Sequence, residues 1–326
     1  MLPAATTARA NANLALVKYW GKRDARLNLP ASGSISLTLE GLAVEARVAF
    51  DGGEADRLEI DGAPAEGDEA ERLRHFLDVV RMEAGQRQRA SVATRSTVPR
   101  GIGLASSAAA FAALALAGSR AAGLRLEPPA LSALARRGSG SAARSIFGGF
   151  VEWHRGERPD GHDSIAEVLA SPEHWDLRVV AAVTTRAPKP VSSRAGMARA
   201  AASPLYPAWV AGAEADLAEA RAAVRARDLE ALGLIAESSA LKMHAVGLAA
   251  RPPLLYWNGA TVECMHAVWA LRAAGTPAFV TIDAGPQVKV LCEPADAPRV
   301  AEVLAAVPGV ERVLTTRPGL GAEVIA

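Results

Sequence analysis

The chain has 326 residues, half of them apolar and 5% aromatic, so it can bury one large core or two, built mostly from Ala, Val and Leu. A net charge of +1 excludes the global field that draws nucleic acid or a membrane surface. Two cysteines, Cys264 and Cys292, exclude a disulfide scaffold or a cysteine metal site. The longest apolar run, 104–117, is too short and too serine-rich to span a bilayer, and the start of the chain lacks a signal-peptide pattern, so a cytoplasmic protein is expected.

In chain order, residues 35–50 alternate apolar and polar positions and read as two strands around Glu40 and Gly41. Residues 51–67 are rich in Gly and Asp and predict a loop, a strand and a loop. Leu73, Phe76, Leu77 and Val80 recur at helical spacing over 68–85. A strand follows over 92–98, stopped by Pro99, and then an alanine-rich helix whose start reads GIGLASS (101–107). Residues 129–137 are helical, 150–153 form a strand, and 177–184 form a buried strand ahead of an APKP linker (187–190). Three long amphipathic helices follow over 207–225, 228–244 and 260–274. Strands at 279–282, 288–292 and 310–314, with a helix near 297–306, complete the chain. A strand-rich half and a half of helices over a sheet predict two α+β domains, 1–186 and 187–326.

Five clusters carry chemistry. Helix N-termini present free N–H groups and partial positive charge, so GIGLASS can cradle a phosphate with its glycines and serines. The same segment also fits a tightly packed alanine helix with a serine cap. It is not a Walker A loop, since no Gly-Lys-Ser/Thr follows. KYWGKR (18–23) places two lysines and an arginine beside two aromatics, although such a run also suits an ordinary basic loop. Arg outnumbers Lys by 31 to 5, a bias expected of a GC-rich coding sequence, yet two of the five lysines, Lys18 and Lys22, fall in this one stretch. GSGSAARS (138–145) exposes backbone N–H groups and hydroxyls around Arg144, which can grip a carboxylate or phosphate with two donors. It matches G-x-G-x-x-A, but a helix precedes it instead of the strand that a dinucleotide site requires. SSR (192–194) repeats the donor chemistry, and TIDAGP (281–286) ends a buried strand on Asp283, placed to act as a base or to cap the turn. No zinc or serine-hydrolase pattern competes; Met243 and His244 read as residues on a helix face.

Taken together, NLALVKYWGKRD (13–24), GLASSAA (103–109), GSGSAARS with GGFVEW (148–153), SSRAGM (192–197), PPLLYWN (252–258) and DAGP (283–286) resemble the mevalonate diphosphate decarboxylases of the GHMP kinase superfamily. The resemblance runs over nearly the whole chain. It implies an α+β GHMP kinase fold, with an N-terminal domain like ribosomal protein S5 domain 2 and a ferredoxin-like C-terminal domain around a shared cleft. It implies use of ATP and Mg²⁺ to phosphorylate the 3-hydroxyl of (R)-5-diphosphomevalonate, then loss of phosphate and CO₂ to give isopentenyl diphosphate.

By resemblance, Asp283 is the catalytic aspartate, Arg144 holds the substrate carboxylate and Lys18 lies near the reacting centre. Tyr19, Trp20, Lys22, Ser139, Gly140, Ser141, Ser193 and Arg194 form the substrate shell. Asn13, Gly103, Leu104, Ala105, Ser106 and Ser107 meet the nucleotide, with Ser107 on the metal. A homodimer is expected, with no nucleic-acid or membrane partner. The near alternative is a decarboxylase of the 5-monophosphate or a 3-kinase that does not decarboxylate; the distant one is a non-catalytic metabolite-binding relative.

Overall fold

Burial along β1 (Thr6–Val17) alternates as far as Ala12 and is continuous after it. The alternating part has one covered face; the continuous part is covered on both. The computed structural model of the chain describes residues 5–97 and 106–326. β2 (Lys22–Asp24) and β3 (Leu29–Pro30) form a small antiparallel pair after β1. The next element corrects the expectation for 35–50: β4 (Ser34–Phe50) is one strand of 17 residues, not a hairpin. Glu40 and Gly41 are exposed, and Gly41 takes φ +76, a conformation that glycine reaches without a Cβ clash. There the strand changes neighbour instead of turning back. Ser34–Leu37 pair with β8 (Phe150–Trp153), whereas Val44–Phe50 pair with β7 (Ala90–Ser96), and β1 runs alongside both parts.

β5 (Arg57–Ile60), β6 (Ala63–Pro64) and β9 (Ala166–Ala170) extend this sheet. The terminal strand β14 (Glu323–Val324) returns to pair with β1. One face is covered by α1 (Gly67–Glu83), α2 (Ser106–Ala121) and α3 (Pro128–Gly138). In α2, Ala112, Ala113, Ala115 and Ala117 are wholly buried, and the small side chains bring the helix close to β1 and β4. The short helix α4 (Ala142–Ser145) lies inside the GSGSAARS segment.

The second sheet is antiparallel, in the order β11 (Ala278–Ile282), β12 (Val288–Cys292), β10 (Arg178–Val183), β13 (Arg312–Thr316). β10 precedes residue 186 and is nonetheless an inner strand of this sheet. After α5 (Ser193–Ala200), the long helices α6 (Tyr206–Ala226) and α7 (Leu229–Leu248) pack between the sheets: Leu217, Leu232 and Ala236 share one core with Leu14 and Leu37 of the first sheet and Phe279 and Leu291 of the second. α7 lies so close to β11 that a Cβ on Gly233 would come 2.1 Å from the Phe279 ring. α8 (Gly259–Ala273) and α9 (Ala297–Ala305) cover the outer face of the second sheet. Among the described residues, no helix is long and apolar enough to cross a membrane.

Candidate active site

A cavity of roughly 930 Å³ opens where the ends of β1, α1, α4, α5 and β11 converge. Asn13, Lys18, Tyr19, Trp20, Lys22, Ser107, Ser139, Gly140, Ser141, Arg144, Ser193, Arg194 and Asp283 all line it. Gly103, Leu104 and Ala105 lie outside the described residues. Ser106 begins α2, which places the end of GIGLASS at a helix N-terminus.

β1 runs straight into the site. Lys18 follows its last residue; its backbone N–H donates to Ser239 Oγ of α7 at 3.0 Å, which joins the two halves of the molecule. Lys18 Nζ donates to the Ala15 carbonyl at 2.8 Å and to Asp283 Oδ1 at 2.7 Å. Lys289 Nζ approaches Asp283 Oδ2 at 3.2 Å. Both lysine side chains are 1% exposed, whereas that of Asp283 is 30% exposed, so the carboxylate faces the cavity with the cations behind it. Burial lowers the Lys18 pKa to about 8, against the opposing pull of Asp283. Burial alone would raise the Asp283 pKa, but the charges and hydrogen bonds of Lys18 and Lys289 override it and hold the carboxyl well below the usual range.

Arg144 is held as a prepared arm. Its Nε and Nη2 donate to Asn13 Oδ1 at 3.2 and 3.0 Å, and its Nη1 donates to Ser34 Oγ at 2.6 Å. Asn13 is oriented in turn by donating to the Ser141 carbonyl and to Ser145 Oγ. A guanidinium has five N–H donors, so two remain to meet an anion. Burial lowers the Arg144 pKa to about 10, which leaves it charged at neutral pH.

A second cationic group gathers at Lys22, Arg72, Arg137 and Arg194. Burial, then Arg194 and Arg72, lower the Lys22 pKa to about 8, and Lys22 donates to Asn28 Oδ1 at 2.6 Å. Tyr19 Oη, Arg72 Nε and Arg137 Nε are buried without a hydrogen-bond partner among the described residues. Unpaired donors in a cationic cavity fit a polyanionic ligand. The exposed Ser107 at the start of α2 offers a hydroxyl oxygen, the kind of hard donor that Mg²⁺ accepts beside waters and phosphate oxygens.

Trp20 has a double position. It lines the cavity but is packed with Trp209, Met243 and Tyr256, and its carbonyl accepts from Trp209 Nε1 at 2.9 Å. Local sequence did not mark Lys189, Lys289 or Arg72 as site residues, and it placed His244 only on a helix face. Lys189, in the stretch read as a linker, donates to Ser193 Oγ at 2.7 Å and to the Ala284 carbonyl at 2.9 Å. His244 lies on α7 with Nε2 3.2 Å from the Asp283 carbonyl, and burial lowers its pKa to about 4, so it is neutral and donates there. Asn258 of the YWN segment is an N-cap: it forms a capping box with Thr261 that starts α8.

Comparison with known proteins follows the same outline. Residues 10–166 match the diphosphomevalonate decarboxylase-like N-terminal domain, and residues 179–318 match the mevalonate 5-diphosphate decarboxylase C-terminal domain. The chain is 36% identical to human diphosphomevalonate decarboxylase over 310 residues, 88% of this chain and 76% of that protein. The mevalonate diphosphate decarboxylase of Staphylococcus aureus superposes with a TM-score of 0.93 at 37% identity, covering 99% of this chain and 98% of the other. A structure of MDDEF in complex with MVAPP, AMPPCP and magnesium also gives 0.93, at 38% identity and 99% coverage of both chains. The fold is thus the α+β GHMP kinase fold, and the chain belongs to the mevalonate diphosphate decarboxylase family.

Proposed function

We infer that the protein converts (R)-5-diphosphomevalonate and ATP to isopentenyl diphosphate, ADP, phosphate and CO₂. The observation that carries this reading is one cavity with two separate demands met: an ionised carboxylate beside a prepared arginine, and a second group of cations with unpaired donors. A substrate with a carboxylate and a tertiary alcohol at one end and a diphosphate at the other has that charge pattern.

Asp283 accepts the hydrogen bond of the 3-hydroxyl. So acidic a carboxylate is a weak base, and it takes the proton only as the new O–P bond forms and the bond to ADP breaks. Arg144 orients the substrate carboxylate through its two free N–H groups. Then the C3–O bond breaks with its electron pair leaving on phosphate, and the pair from the departing CO₂ becomes the double bond. A tight ion pair resists loss of CO₂, so Arg144 positions, and the rate comes from orientation and from Lys18 and neighbouring charges stabilising the leaving phosphate. Tyr19, Lys22, Ser139, Gly140, Ser141, Ser193 and Arg194 hold the substrate, with Trp20 as their packed wall. Asn13 keeps Arg144 in place. Residues 103–107 cradle the nucleotide phosphates, and Ser107 with those phosphates would hold Mg²⁺, which supplies charge neutralisation on the transferred group.

Two domains meeting at the cavity, a homodimeric assembly and a cytoplasmic location complete this reading.

The deciding assay is ATP-dependent CO₂ release from mevalonate carrying none, one or two 5-phosphates. The diphosphate is expected to turn over at least about a hundredfold more efficiently than the monophosphate. An equal or higher rate with the monophosphate would move the protein to the sister activity. A tighter probe of the shell is Gly140→Ala, whose Cβ would lie 2.6 Å from Tyr19 Oη. The Tyr19 ring stands edge-on to Trp153 at 4.8 Å and has little room to yield. The variant is expected to raise the KM for diphosphomevalonate about tenfold with the KM for ATP little changed, in steady-state kinetics.

A further inference from the structure

Lys289 touches Asp283 but not the cavity. It is the second residue of β12, between apolar neighbours, with Ala181 and Thr281 as its cross-strand partners. These small partners leave room for its side chain to run along the sheet toward the end of β11, where Asp283 sits. A buried ammonium weakens a core unless it is paired, and Leu or Met would fill the same space without that cost. What the charge does provide is a second hold on the aspartate. Lys18 takes Oδ1 and Lys289 takes Oδ2, which together fix the plane of the carboxylate. His244 of α7 meets the Asp283 carbonyl, and Lys189 pins the Ala284 carbonyl. Arg144 of α4 and Lys189 add positive charge from the other walls.

We propose that Lys289 is a positioning residue for phosphoryl transfer: from behind the site it fixes, through Oδ2, the plane in which Asp283 meets the substrate hydroxyl. The proposal rests on the decarboxylase reading above. Lysine is scarce in this arginine-rich chain, and its compact ammonium meets the single oxygen Oδ2, whereas a guanidinium would present a planar fork of donors.

The test uses the full-length protein with Lys289→Met and, to retain an N–H donor toward Oδ2, Lys289→Gln. Three properties are read: steady-state kinetics, thermal midpoint, and the titration of Asp283 by carboxyl ¹³C NMR, with Asp283→Asn identifying the signal. In Lys289→Met, kcat is expected to fall about a hundredfold while both KM values stay within about threefold. The thermal midpoint should not fall, and the Asp283 midpoint should rise by about one pH unit or more, where a flat trace in the parent becomes a curve. Lys289→Gln should lie between Met and the parent in kcat.

A kcat within about twofold of the parent overturns the proposal, as does a loss that tracks loss of folded protein while Asp283 titration is unmoved. If neither variant folds, Lys289 is structural and the proposal also falls. A parent protein without ATP-dependent CO₂ release would instead defeat the decarboxylase reading, and the Asp283 titration would still decide whether Lys289 governs that carboxylate.

Discussion

Asp283→Asn is expected to lower kcat by about a thousandfold or more while leaving nucleotide affinity within about threefold. Asn keeps the shape and one acceptor oxygen but loses the charge that orients the hydroxyl and finally takes its proton. A rate within tenfold of the parent would remove Asp283 from the chemistry. The same variant carries a pH signature. Lys18 and Lys289 would be left buried without their anion, a defect of up to about 3 kcal/mol that Lys18 relieves by giving up its proton. The Lys18 pKa is already lowered from 10.5 to about 8 by burial and would fall further without Asp283. Between the folded and unfolded pKa values the unfolded chain binds more protons, so this contribution makes stability rise with pH. The deficit of Asp283→Asn relative to the parent is therefore largest below the variant's further-lowered Lys18 pKa and shrinks as pH rises toward about 8, the parent's folded value, above which the two slopes are equal. Thermal midpoints measured across that window check the sign; a deficit that grows with pH would contradict the pairing.

Arg144→Lys is expected to cost about a hundredfold in kcat/KM for diphosphomevalonate, with the KM for ATP nearly unchanged. The positive charge survives, but an ammonium cannot grip Asn13 Oδ1 through two nitrogens, reach Ser34 Oγ and still present two donors to a carboxylate. Asn13→Ala should mimic part of this loss through the same arginine. If Arg144→Lys keeps the parent's efficiency, the carboxylate is held elsewhere. Partial turnover is informative as well: phosphorylation that outruns CO₂ release would place Arg144 in the second step.

Much of the framework was legible before folding. α1, α6, α7 and α8 follow from apolar residues at helical spacing, and β8, β10 and β12 from short apolar runs. β4 was not, because an exposed Glu40-Gly41 pair looks like a hairpin turn locally. Its continuity depends on partners 40 or more residues away, β7 and β8, which pair with its two ends. Lys189 and Lys289 were hidden differently. One lies in a Pro-flanked stretch and the other is a lone charge in an apolar strand, and neither local context announces a site. The available signal was scarcity: of five lysines, Lys18, Lys22 and Lys189 line the cavity and Lys289 stands behind it.

The sequence by itself determined the long helices and the short apolar strands, since periodicity and end signals are local, and it displayed the phosphate-type motifs because those depend on neighbours within a few residues. Tertiary structure alone decided the ionisation and aim of Asp283. Its first cation, Lys18, is 265 positions away along the chain, and Lys289 reaches it only across a formed sheet. Charge interactions depend on distance and burial, and both come into being only when the two halves close around one cavity.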